Sequence, residues 1–181
     1  MAKRLGAADF VDMPWKNGGG TTRELYRLPA AQEEDFVLRV SMARVGQSGP
    51  FSFFPGIERI LMLVDGAGFE LDMNGSLQRL TQPFIPLQFS GETAVNCRLL
   101  GDECLDFNVM TARDWGRSEL AVRPLAPGQR YRSEGPRARL LYRHGIEPEL
   151  WVLAAGETLE LAAAEVPLLL VEITLYPLDG A

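Results

Sequence analysis

The run Ile60-Leu-Met-Leu-Val-Asp-Gly-Ala-Gly-Phe-Glu-Leu71 constrains the chain most, because it recurs without a gap as Leu150-Trp-Val-Leu-Ala-Ala-Gly-Glu-Thr-Leu-Glu-Leu161. Gly66 falls on Gly156, Glu70 on Glu160 and Leu71 on Leu161, an offset of about half of the 181 residues. Each copy is an apolar run, a glycine turn and an amphipathic run, which reads as a β-hairpin. A helix is the weaker reading, since Gly56, Gly66 and Gly68 would each cost about 1 kcal/mol against alanine in a helix interior. One such unit per half predicts an internal duplication. An aromatic, proline-bearing approach (Phe51 to Pro55) leads into the first copy, and Glu58 and Arg59 stand at the mouth of its apolar run. In a small β-barrel that is where a ligand contact is presented.

The rest of the chain carries the same β signature. Arg23 to Leu28 reads as a strand, followed by a solvated turn from Pro29 to Asp35. In Phe36 to Val45, Phe36, Leu38, Val40 and Met42 share one face while Arg39 and Ser41 share the other. Asn74-Gly75 signals a hairpin, and Pro83 and Pro86 place Phe84 to Phe89 at a sheet edge or bend. Ala94 to Leu100 and Leu105 to Met110 complete the first half, and Asp114-Trp-Gly116 reads as a junction. Beyond it, Arg137 to Arg143, Leu150 to Leu153, Glu157 to Leu161 and Leu168 to Tyr176 are the expected strands. Only Gly6 to Asp12 suggests a helical turn, with Asp9 as its cap. The expectation is an all-β fold of two β-barrel or jelly-roll units, one over 1–113 holding the ligand site and one over 114–181.

Charge narrows the function. A net charge of −6 and a pI near 4.9 argue against nucleic acid as a partner, yet leave room for a local basic pocket that takes an anionic small molecule. Met1-Ala-Lys-Arg-Leu is followed by no long apolar segment, so it is not read as a secretory signal, and the longest apolar run, Val166 to Val171, is too short to span a bilayer. The expectation is a cytoplasmic protein with no membrane partner. Cys97 and Cys104 read as buried free thiols.

The chemistry is defined partly by what the residues lack. His144 is the one histidine, there is no HxH or HExxH spacing, and neither GxSxG nor a Walker loop occurs. What remains is a set suited to holding an anion. Lys16, Arg59 and Arg39 or Arg44 supply positive charge, and Asn17, Thr21, Thr22 and Ser41 supply neutral donors. The triplet Gly18-Gly19-Gly20 offers backbone N–H groups to an anion at the mouth, and Phe51, Phe53 and Phe54 offer an apolar wall. Glu24 and Glu58 either balance these cations or act as an acid/base, and Asp106 and Asn108 share a face at period two.

Three segments carry a family resemblance: Met13-Pro-Trp-Lys-Asn-Gly-Gly-Gly-Thr-Thr-Arg-Glu-Leu25, Arg39-Val-Ser-Met-Ala-Arg-Val45 with Gly49-Pro-Phe-Ser-Phe-Phe-Pro-Gly-Ile-Glu-Arg59, and Asp106-Phe-Asn-Val-Met110. They resemble the signatures of the HutD/Ves family over most of the first half. The resemblance implies a bicupin that binds an intermediate of bacterial histidine utilisation, such as formylglutamate or urocanate, and moderates that pathway. It places the pocket at Lys16, Asn17, Thr22, Glu24, Ser41 and Arg59, with Asp106 and Asn108. Metal-binding cupins carry histidines and a glutamate around the central hairpin, and this chain has no histidine there, so no metal and no cofactor are expected. The alternative is a cofactor-free isomerase or hydrolase with Glu24 or Glu58 as base. An interaction module that forms a homodimer through exposed edge strands is the third reading.

Overall fold

A computed structural model describes residues 2–29 and 35–178. The chain opens with β1 (Lys3–Leu5) and a 3-10 turn, Ala7–Asp9, where the Gly6 N–H donates to the Asp9 carboxylate at 2.8 Å. The described residues form two compact units, one of Val11–Trp115 and one drawn from Met1–Phe10 and Gly116–Ala181. Most of the turn expected over Pro29 to Asp35 lies outside the described residues.

The first unit holds β2 (Val11–Pro14), β3 (Gly20–Leu28), β4 (Leu38–Val45), β5 (Gly49–Pro50), β6 (Ile57–Asp65), β7 (Phe69–Met73), β8 (Ser76–Leu80), β9 (Pro86–Ser90), β10 (Val95–Leu99) and β11 (Cys104–Ala112). They form a six-stranded sheet in the order β2-β3-β4-β11-β6-β9 and a four-stranded sheet in the order β5-β10-β7-β8. Every described pairing is antiparallel. The core takes Val45, Leu61, Leu63 and Cys104 from the larger sheet and Phe69, Leu71, Val95 and Cys97 from the smaller. Both cysteines are buried free thiols, and the Gly68 N–H donates to Cys104 Sγ at 3.2 Å.

The hairpin expected over Ile60 to Leu71 is corrected. β6 lies between β11 and β9 in one sheet, while β7 lies between β10 and β8 in the other. Asp65-Gly66 therefore carries the chain from sheet to sheet. Burial gives the physical reason: Arg59 to Val64 is buried without a break, so this run is an interior strand and not one arm of a half-solvated hairpin. The crossing is tight, with φ of +101° at Gly66 and +100° at Gly68. A true two-residue hairpin follows at Asn74-Gly75, where φ values of +54° and +85° bring Met73 opposite Ser76.

The second unit holds β12 (Gly116–Leu125), β13 (Arg130–Ser133), β14 (Arg139–His144), β15 (Glu149–Leu153), β16 (Leu159–Ala162) and β17 (Leu168–Pro177). Its larger sheet runs β1-β15-β14-β17-β12, and β13 pairs with β16. The repeated motif keeps its meaning here, because β15 belongs to the larger sheet, β16 to the smaller, and Gly156 between them has φ of +79°. The sequence-based division at residue 113 differs at both ends. The first strand joins the second unit because Lys3–Leu5 pairs with Leu150–Val152, and the junction falls between Trp115 and Gly116. Among the described residues no helix is long and apolar enough to cross a membrane.

A Cβ at Gly66 would lie 2.4 Å from the Glu103 carbonyl oxygen, whereas one at Gly75 meets nothing within 4 Å. Gly66→Ala is therefore expected to lose about 2–4 kcal/mol of stability, from left-handed strain plus overpacking. Gly75→Ala should lose about 1 kcal/mol, from strain alone. Urea unfolding of both variants checks the ranking.

Candidate functional site

Cross-strand partners share a face of a sheet, so the register of the larger sheet lays out the site. In one row Thr22 pairs with Ala43 and Ala43 with Asp106, and in the next Glu24 pairs with Ser41 and Ser41 with Asn108. A third row sets Arg39 opposite Met110 and Met110 opposite Arg59, with Phe89 beyond. β11 sits at the centre, between β4 and β6. Polar residues at period two on β4, β11 and β6 thus converge on one surface.

That surface faces a cavity of about 550 Å³. Ser41, Arg59, Asp106 and Asn108 line it as buried residues, and Phe51 and Phe54 form its wall. The turn carrying Trp15, Lys16 and Asn17 closes one side, with Lys16 and Asn17 exposed to solvent. The Trp15 indole N–H donates to Thr22 Oγ1 at 2.8 Å, which fixes this turn on β3.

Arg59 dominates the electrostatics. It is only 6% exposed, and its guanidinium carbon lies 5.1 Å from the Phe89 ring centre and 5.5 Å from those of Phe51 and Phe54. Its Nη2 donates to Asn108 Oδ1 at 3.0 Å, while its buried Nε has no hydrogen-bond partner. Asn108 Nδ2 in turn donates to Asp106 Oδ1, so arginine, amide and carboxylate form a chain. Burial lowers the Arg59 pKa to about 10, with Asp106 opposing the shift and Arg39 adding to it, so the guanidinium stays cationic at neutral pH. Burial also pushes the Asp106 carboxyl up to about 7, against the pull of Arg59 and hydrogen bonds from the Ala43 backbone and Asn108.

Of the residues singled out in the sequence, Lys16, Asn17, Thr22, Ser41, Arg59, Asp106 and Asn108 line this cavity. Glu24 does not. It accepts from Arg39 Nε at 2.8 Å and lies 3.6 Å from Arg27, and so partly neutralises a cation that does line the cavity. Of the paired alternatives Arg39 and Arg44, the cavity takes Arg39, while Arg44 is exposed and bonded to Glu103. Thr21 is not part of the lining. The expected acid/base Glu58 also lies off the cavity, accepting from Gln88 and lying 3.8 Å from Arg113. Asp106 is the carboxylate that reaches the lining. His144 ends β14 in the second unit, its ring 6.2 Å from that of Tyr142.

Two expectations are corrected. The first two glycines of the triplet do not offer their N–H groups to the cavity: Gly18 N–H donates to the Trp15 carbonyl at 3.0 Å and Gly19 N–H to Asn17 Oδ1 at 3.0 Å. The turn consumes its own donors, and Gly20 is required for close packing, since a Cβ there would lie 2.3 Å from the Arg44 carbonyl oxygen. Phe53 is not part of the wall but points to solvent, 60% exposed. Sequence reasoning missed Phe89, which closes the cage around Arg59; its placement opposite Arg59 follows from the β6–β9 register.

Cupin barrels that hold a metal do so with histidines and carboxylates. This cavity is lined by no histidine and a single carboxylate, and among the described residues no three His, Cys, Asp or Glu side chains converge. The donor set does not fit a catalytic metal.

Comparison with known proteins places the chain. The HutD family model matches residues 7–173. An uncharacterised 21.2 kDa protein in the hutC 3′ region of Pseudomonas putida is 41% identical over 116 residues, which is 64% of this chain and 61% of that protein's length. The solved structure of HutD from Pseudomonas fluorescens SBW25 is 28% identical, with a TM-score of 0.74 over 98% of this chain and 100% of that one. At the level of fold alone, a cupin 2 conserved barrel domain protein from Leptotrichia buccalis, 9% identical, matches with a TM-score of 0.57 over 90% of this chain and 92% of that one. The chain is a member of the HutD family, built on an all-β cupin fold.

Proposed function

We propose that the protein is a metal-free bicupin whose first unit binds a small anionic metabolite of histidine degradation, formylglutamate or urocanate, in the cytoplasm, and that binding serves to moderate the pathway. The observation that carries this reading is the buried guanidinium of Arg59, which lines an aromatic-walled cavity and has an Nε without an acceptor. A buried charged donor left without an acceptor costs about 1–3 kcal/mol or more, and a carboxylate oxygen removes that cost. The planar guanidinium also suits two parallel hydrogen bonds to one carboxylate. Lys16 at the mouth and Arg39 on β4 extend positive charge away from Arg59, as a guest with more than one polar end requires.

Family membership supports the link to histidine utilisation, as does the position of the Pseudomonas putida relative in the hutC 3′ region. A second reading, a cofactor-free isomerase or hydrolase, is favoured by one observation: Asp106 is a cavity carboxylate with a pKa near neutrality, the range a general acid/base needs.

Calorimetric titration with formylglutamate and with urocanate should show binding of at least one of them. Arg59→Ala should weaken it at least about tenfold, the equivalent of a lost charge-assisted hydrogen bond. No binding of either guest, or an Arg59→Ala variant that binds like wild type, contradicts the assignment. When the protein is incubated with the same compounds, both should be recovered unchanged by chromatography. A product that fails to form with Asp106→Asn would shift the assignment to the enzyme.

A further inference from the structure

Two buried groups of opposite charge share the cavity floor, joined through one amide. Arg59 donates to Asn108, and Asn108 donates to Asp106. Among the residues lining the cavity the guanidinium faces a single carboxylate. An anion seated against the Arg59 guanidinium makes that same group answer to two negative groups, with Arg59 and Asp106 both buried.

No second buried cation is at hand among the described residues of this face. From β6 the charged neighbour of Asp106 is Arg59, and from β4 the neutral Ala43 N–H donates to it. From β10 comes Cys97 and from β11 itself Cys104, both thiols pushed up by burial and by Asp106, Cys97 to about 12. Arg39 is tied to Glu24 of β3, and Lys16 is exposed at the mouth. When two carboxylates share a site, the proton affinity of one of them rises strongly.

We propose that the anion enters this cavity together with one proton, which Asp106 takes up, so that guest and aspartate share Arg59 without two adjacent negative charges. The inference rests on the binding reading above. The proton comes from solvent and forms an O–H bond on the Asp106 carboxylate, and the guest's own charge is unchanged. Protonation also turns Asp106 from an acceptor into a donor, able to give a hydrogen bond to a guest oxygen. Burial already holds this carboxyl near 7 in the empty protein, so the uptake falls in a physiological range. The sign follows from the charge. Below that value Asp106 is neutral beforehand and binding takes up little; above it each guest must bring a proton, and affinity falls by up to about tenfold per pH unit.

The test is calorimetric titration of the wild-type protein with formylglutamate and with formate, in pairs of cationic buffers that differ in ionisation heat, Bis-Tris and imidazole at about pH 6 and Tris and triethanolamine at about pH 8, where neither guest titrates. At the higher pH the observed heat should differ between buffers by an amount matching about one proton taken up per guest, and at the lower pH by close to none. Asp106→Asn should lose both the buffer dependence and the fall in affinity with pH. If that variant does not fold, the wild-type affinity profile decides: a steady decline above neutrality is expected, and a flat profile overturns the inference. Binding with buffer-independent heats at the higher pH overturns proton coupling and leaves the binding reading intact. Uptake that persists in Asp106→Asn assigns the proton elsewhere and overturns the role of Asp106. If neither guest binds, this inference is overturned, and the binding reading fails with it when urocanate does not bind either.

Discussion

Burial of the Arg59 guanidinium sets the terms for the rest of the first unit. A cation so deeply placed survives only where other groups replace water, and three phenylalanine rings, Asn108 and the nearby Asp106 do so in part. Each comes from a different segment. Phe51 and Phe54 precede β6, Phe89 lies on β9, and Asn108 and Asp106 lie on β11. The two-sheet fold can be read as the means of bringing those segments to one point, with β6 and β11 side by side as interior strands of the larger sheet.

A buried arginine in the second unit shows what the alternative looks like. Arg139 is 3% exposed, yet its Nε donates to Ser133 Oγ, its Nη1 to the carbonyls of Gly135 and Arg137, and its Nη2 to that of Glu157. Ser133 and Tyr131 then both donate to Glu172. Every nitrogen of that guanidinium has an acceptor from the chain itself, which is the signature of a structural arginine. Arg59 has a buried Nε without an acceptor, and its side chain lines a cavity. That contrast within one chain is the reason the proposed guest is assigned to the first unit.

Much of this was legible in the residues. Alternation put Arg39 and Ser41 on one face and Asp106 and Asn108 on another, and the sheet register joins those faces. The duplicated motif gave two units, and Asn74-Gly75 gave its hairpin. What was not legible depends on non-local pairing. An Asp-Gly turn joins strands of one sheet or of two equally well, and only the unbroken burial of β6 decides between them. Lys3–Leu5 pairs with a strand far along the chain, so its unit could not be read locally. The glycine triplet suggested free donors, but Asn17 and the Trp15 carbonyl take them up within the turn. The near-neutral Asp106 needed burial and neighbours that no local pattern displays.

The most direct measurement of the central claim is a crystal structure of the protein grown with formylglutamate. A guest carboxylate oxygen should then lie within hydrogen-bonding distance of an Arg59 guanidinium nitrogen, beside the rings of Phe51 and Phe54. A guest seated elsewhere while that nitrogen is satisfied by a protein atom would contradict it.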